Sequence, residues 1–220
     1  MPRISRGLFD DSIYHIINRG NGGQIVFQKD KDYEAFINLM GKAKTRYDIR
    51  IFAYCLMPNH FHMVLMPHRS KDLSQWMQWL MTSHVRRYHR HYGTRGHIWQ
   101  GRYKSFLIKI DSHLLTVLKY VEGNPLRAGL VNSAKDWLWS SHMESIGKRQ
   151  HLLIDEAPIE LPREWGKFVD EPMTEKELER LRQSVNRQSP YGDSLWQIKA
   201  CKEFGLESTI RPRGRPRNQE

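Results

Sequence analysis

The chain has 220 residues, enough for one domain with an appendage, and 39% of them are hydrophobic, which excludes disorder throughout. Lys and Arg number 35 against 24 acidic residues, a net charge of +11 that points to a polyanionic partner, usually nucleic acid. No apolar run reaches membrane-spanning length, the first residues lack the apolar segment of a signal peptide, and Cys55 and Cys201 fit no metal or redox spacing. A cytoplasmic protein with reduced thiols and no membrane partner is expected.

The stretch SIYHIIN at 12–18 predicts a strand that ends at the Gly-rich turn 20–23. Residues 32–46 carry Phe36, Leu39, Met40 and Ala43 at helical spacing. Residues 49–57 predict a strand, Pro58-Asn59 a turn, and 60–66 the returning strand of a hairpin. A helix over 73–91 aligns Trp76, Leu80, Met81 and Val85; 103–110 predicts a fourth strand, and Ser112 begins another helix. This order, β-α-β-β-α-β plus a helix, predicts an α+β fold: a ferredoxin-like, RRM-like split βαβ antiparallel sheet. After Ser141 the pattern weakens. Residues 152–168 read as loop, 174–184 and 193–205 as helices, and the end, RPRGRPR at 211–217, as a basic tail. A boundary is expected near residue 150, giving a domain at 1–150 and a helical C-terminal module at 151–220.

Three stretches carry chemistry. In NHFHMVL at 59–65, strand alternation points His60 and His62 one way and Phe61, Met63 and Leu65 the other, into a core. Two imidazoles side by side make half of a metal site and leave positions open for a substrate oxygen. In the helix from Ser112, Leu114, Leu118 and Val121 form the packing stripe, while His113, Val117, Tyr120 and Asn124 line a neighbouring edge. Tyr supplies a nucleophilic oxygen and Asn a neutral oxygen ligand, and Pro125 disfavours helical geometry at Asn124. Finally, residues 83–105 hold six basic residues, Arg86, Arg87, Arg90, Arg95, Arg102 and Lys104, and no acidic one, interleaved with Tyr88, Tyr92, Trp99 and Tyr103. Charges that hold a backbone, with rings that stack on bases, suit single-stranded nucleic acid.

Together these residues resemble a known family. His60-Phe61-His62 is similar to the histidine–hydrophobic–histidine motif of HUH single-strand nucleases. The stretch YVEGNPLRAGLV at 120–131 is similar to the YxxxNPxxAGLV stretch of single-tyrosine transposases, and WQGRY at 99–103 to the stretch between the two motifs. The likeness runs from about Ser12 to Val131 and is to the REP-associated tyrosine transposases, relatives of small bacterial insertion-sequence transposases. It implies that His60, His62 and Asn124 hold Mg²⁺ or Mn²⁺ against the scissile phosphate of single-stranded DNA. It implies further that Tyr120 attacks to give a 5′-phosphotyrosine and a free 3′-OH, so that strands rejoin without ATP. The family's third ligand is often Gln, whose reach is longer than that of Asn. A phenol is a poor nucleophile at neutral pH, and Lys119 or His113 is a candidate to activate it. The substrate implied is a palindromic repeat folded as a hairpin, bound by a monomer or a homodimer. Trp99, Tyr103 and the six basic residues are the expected DNA contacts. Arg213 and Arg215, in a stretch similar to an AT-hook core, are expected in a narrow minor groove. The alternative reading is a catalytically silent DNA- or RNA-binding protein on the same fold, or a zinc-stabilised regulator.

Overall fold

A computed structural model describes residues 8–149 and 153–211. The elements follow in chain order: β1 (Tyr14–Arg19), α1 (Asp30–Lys44), β2 (Ile49–Met57), β3 (His60–Pro67), α2 (Ser70–Tyr92), β4 (Lys104–Leu107), α3 (Ser112–Glu122), α4 (Asn124–Arg127), α5 (His142–Ser145), α6 (Trp165–Asp170), α7 (Glu175–Arg187) and α8 (Ser194–Phe204). The sheet order is β2-β3-β1-β4 with every pair antiparallel. Because β1 and β2 both run against β3, they are parallel to each other, and α1 is the crossover that such a pair requires. The fold is the split βαβ arrangement expected, with a mixed set of helices around it.

Strand alternation divides the core in two. Tyr14, Ile16, Tyr54, Leu56, Phe61, Met63 and Leu65 face α1 and α2, where Phe36, Met40, Trp76, Met77 and Leu80 cover them. On the opposite face Ala53, Cys55, Val64 and Phe106 meet Leu114, Val117, Leu118 and Val121 of α3. Covering both faces is why β2 is buried at every residue except Arg50. Each fully buried aliphatic side chain on α3 contributes roughly 1.5–3 kcal/mol, so this docking holds the helix, and with it Tyr120, firmly on the sheet.

Local chemistry sets the ends. Asp32 Oδ2 accepts from the backbone N–H groups of Gln28 and Lys29 at the start of α1, and Asp111 caps α3 by accepting from His113 N at 2.8 Å. Gly93 ends α2 in the left-handed region at φ 63°. Gly20, just past β1, admits no side chain, because a Cβ there would lie 2.3 Å from the carbonyl oxygen of Gln24.

The structure differs from the sequence-based expectation in two places. β4 ends at Leu107: Ile108 N still donates to the Ile13 carbonyl at 2.9 Å, but here the chain also bridges Tyr191, whose carbonyl accepts from Lys109 N at 2.9 Å. The stretch expected as loop contains α6, too short for periodicity to show and fixed by Trp165 packing into the α3 face. Leu181 and Tyr191 join that same cluster, while Cys201 and Leu206 join the α1/α2 core. Arg213 and Arg215 lie outside the described residues. Among the described residues no helix is long and apolar enough to cross a membrane.

Candidate active site

β3 carries His60 and His62 on the face covered by α3, and register brings further polar groups beside them. Ile17 of β1 pairs with His62, Arg19 pairs with His60, and Lys104 of β4 lies across from Ile17. His15, two residues before Ile17, therefore points to the same face. The rings of His60 and His62 have centroids 5.0 Å apart, and His62 Nδ1 lies 2.8 Å from His15 Nε2. α3 closes the site from above. The Tyr120 ring stands edge-on to His62 at 5.6 Å between centroids and 88° between planes, with His15 at 6.2 Å.

Burial holds these imidazoles neutral. His15 is fully buried, which pushes its pKa down to about 3. Burial, aided by the nearby Arg19 charge, pushes His60 down to about 4. His62 is also held well below the ordinary histidine range, by burial first and then by its histidine neighbours and Arg127. A neutral imidazole keeps one lone pair, which is what a metal or a proton donor needs. His60 Nδ1 is bonded to Asn59 Oδ1 at 2.7 Å and His62 Nδ1 to His15, so in both rings Nε2 is the nitrogen without a partner among the described residues.

Asn124 stands at the start of α4, where Gly123, at φ −81° and ψ 3°, breaks the helix. Its side-chain Nδ2 is buried with no hydrogen-bond partner among the described residues. Arg127 reaches back across this break. Its guanidinium lies 4.3 Å from the Tyr120 ring centroid and donates to the Tyr120 carbonyl oxygen. Gly123 makes room for it, since a Cβ there would come within 3.1 Å of Arg127 Nη1. The two residues considered for activating Tyr120 are engaged elsewhere. Nδ1 of His113 is 2.7 Å from Asp111 Oδ1, and the ammonium of Lys119 sits over the Phe168 ring at 4.2 Å. Sequence reasoning missed Arg127, His15 and Arg19. Arg127 occupies a variable place in its motif, and only strand register reveals the other two.

The basic stretch divides. Arg87 is tied to Asp32 at 3.5 Å and to the Lys31 carbonyl, bracing α2 against α1. Arg86, Arg90, Arg95, Arg102 and Lys104 are exposed and have no ion pair among the described residues. Arg86 and Arg102 border a cleft of about 820 Å³ beside α2, floored by Met81, Val85, Trp99 and Tyr103. Trp99 and Tyr103 correct the stacking expectation: at 5% and 7% exposed, their rings belong to the core, Trp99 packing edge-on against Phe61. They shape the cleft and offer no open ring face. Among the described residues no group of three or more His, Cys, Asp or Glu is placed to hold a metal ion.

The family model described as "Transposase IS200 like" matches residues 9–124. A Haemophilus influenzae protein assigned as a REP-associated tyrosine transposase is 27% identical over 130 residues, covering 54% of this chain and 68% of the relative. The fold is similar to that of a REP-associated tyrosine transposase solved bound to a REP hairpin, with a TM-score of 0.57 and 18% identity, covering 73% of this chain and 98% of the other.

Proposed function

Because the chain belongs to the IS200-like transposase family, we propose that it cleaves and rejoins single-stranded or hairpin DNA through a 5′-phosphotyrosine on Tyr120. In this reading His60, His62 and Asn124 hold a divalent cation, Mg²⁺ or Mn²⁺. The observation that carries it is the edge-on packing of Tyr120 against His62 across the interface between α3 and the sheet.

The donor set fits such a cation. Both histidines have Nδ1 engaged and are neutral, and one terminal atom of the Asn124 amide is buried without a partner among the described residues. Amide O and N are assigned from their surroundings, so that atom serves as an oxygen donor when a cation is present. Three protein ligands leave positions for phosphate and water. A bound cation supplies Lewis-acid polarisation of a phosphoryl oxygen and stabilises charge in the transition state.

The chain's own residues do the rest. Tyr120 Oη attacks phosphorus, and the proton the phenol loses passes through water to the departing O3′. The Oη–P bond forms as the P–O3′ bond breaks, leaving DNA joined by its 5′-phosphate and a free 3′-OH. The reverse attack by a 3′-OH rejoins the strand and returns the phenol. Arg127 keeps the ring in place from above and His62 from the side, which is the positioning an in-line displacement requires. Arg19 and Lys104, on the histidine face, give the phosphate a positive rim.

DNA outside the reacting phosphate is held by Arg86, Arg90, Arg95 and Arg102, with Trp99 and Tyr103 shaping the cleft. Arg213 and Arg215 add minor-groove affinity. The hairpin carried by the solved relative supports a REP-type palindrome as substrate. The chemistry falls within 1–150, and the tail within the helical module 151–220.

The test incubates protein with a labelled hairpin oligonucleotide and Mn²⁺ on a denaturing gel. A shifted band that needs metal and is absent in Tyr120→Phe is expected. Cleavage without a shifted band assigns the attack to water. Binding without cleavage across several repeat sequences identifies a silent DNA-binding protein.

A further inference from the structure

The two histidines of β3 are not held alike. Asn59 Nδ2 donates to the Gly23 carbonyl at 3.1 Å, so Asn59 Oδ1 is the atom facing His60 Nδ1 and can only accept. His60 is thereby fixed with its proton on Nδ1 and its lone pair on Nε2. His62 has no amide in that place. Its Nδ1 meets the Nε2 of His15 at 2.8 Å, and either ring can carry the shared proton. When His15 donates, the proton of neutral His62 sits on Nε2 and no lone pair remains there. When His15 accepts, His62 Nε2 is free to ligate.

Resting on the metal-site reading above, we propose that His15 is a positioning residue: its Nε2 accepts the Nδ1–H of His62 and so frees the Nε2 lone pair of His62 for the cation. Packing alone does not account for a histidine at this position. His15 is wholly buried beside Phe106 and Tyr120, and its other nitrogen, Nδ1, is buried with no partner among the described residues. A phenylalanine would fill the same aromatic pocket without that unsatisfied atom. The cost of carrying an orphaned nitrogen is offset by what the other nitrogen does for His62. Outer groups that orient a metal-binding histidine act in this way.

The test compares His15→Phe and His15→Gln with the unaltered protein. Mn²⁺ alone is titrated by electron paramagnetic resonance, and histidine tautomers are read by ¹⁵N NMR with Mg²⁺ bound. His15→Phe is expected to weaken Mn²⁺ binding by about 10–100-fold while leaving the melting temperature unchanged or raised. His15→Gln, whose Oε1 reaches the place of Nε2 and accepts, is expected to restore most of the affinity. In the unaltered Mg²⁺-loaded protein, His62 is expected as the Nδ1–H tautomer. Unchanged Mn²⁺ affinity in His15→Phe, or a proton on His62 Nε2 in the loaded unaltered protein, overturns the inference even if the first variant misfolds. A His62→Ala variant that binds Mn²⁺ like the unaltered protein overturns the metal-site reading itself, and this inference with it.

Discussion

Glu122, two residues from Tyr120, offers a demanding check on what fixes the helix carrying that tyrosine. Its carboxylate is 1% exposed and accepts four hydrogen bonds. Ser141 Oγ at 2.6 Å and Ser145 Oγ at 2.5 Å bind Oε1; His142 Nδ1 at 2.8 Å and Trp165 Nε1 at 2.7 Å bind Oε2. These donors come from α5, its flank and α6, so one carboxylate joins α3 to the segment that follows the sheet. In Glu122→Ala the hydroxyls can turn to other acceptors, since Ser145 Oγ already lies 3.3 Å from the Ser141 carbonyl. The two ring N–H groups cannot turn. Each stranded donor costs roughly 1–3 kcal/mol, so a loss of about 3–5 kcal/mol is expected once the cavity is included. Glu122→Gln should cost only about 1 kcal/mol, because its oxygen can face the two ring donors while its NH₂ meets serine oxygens that are able to accept. Urea denaturation of both variants, with coincident fluorescence and circular dichroism transitions, measures the difference. Equal destabilisation by Ala and Gln, or an Ala variant within about 1 kcal/mol of the unaltered protein on the same scale, refutes the reasoning.

Other expectations follow from the same geometry. His15 and His84, pushed down to about 3, and His60, pushed down to about 4, bind protons in the unfolded chain near pH 6.5 but not in the native one. Stability should therefore be full above about pH 6.5 and fall towards pH 4, by about 1.4 kcal/mol per pH unit for each histidine; a flat urea midpoint between about pH 7 and 5 contradicts this. Arg127→Ala removes the cover over the Tyr120 ring and should slow adduct formation while costing about 1–2 kcal/mol of stability. Arg127→Lys should recover less of the rate than of the stability, because a point charge cannot also reproduce the fork. Arg86→Gln with Arg102→Gln should weaken hairpin binding and lower the slope of log affinity against log salt by about 0.7 for each single-strand phosphate these arginines neutralise; a slope equal to that of the unaltered protein shows that they neutralise none.

Much of this site is legible in the sequence because period and chemistry coincide. The apolar alternation Phe61, Met63, Leu65 fixes the face of β3, which forces His60 and His62 onto the other side. The stripe Leu114, Leu118, Val121 likewise orients α3, and Tyr120 follows from it. What is not legible depends on partners distant in sequence. His15 reads as one polar residue in an apolar strand until the register of β1 against β3 is known. Arg127 has no visible target until the helix breaks at Gly123 and folds it back. Trp99 reads as a ring for bases because its neighbours are basic, yet the bridge from Gly20 to Trp99 draws it into the core. Basic composition marks a charged surface without saying which of its rings are exposed.

The most direct measurement of the central claim is the residue that carries the DNA. Protein trapped with a hairpin oligonucleotide and Mn²⁺ would be digested with nuclease and protease, and the peptide bearing a 5′-linked nucleotide sequenced by mass spectrometry. The account predicts that peptide to contain Tyr120, with the nucleotide on its phenolic oxygen. A nucleotide on any other residue, or cleavage that leaves no modified peptide, contradicts it.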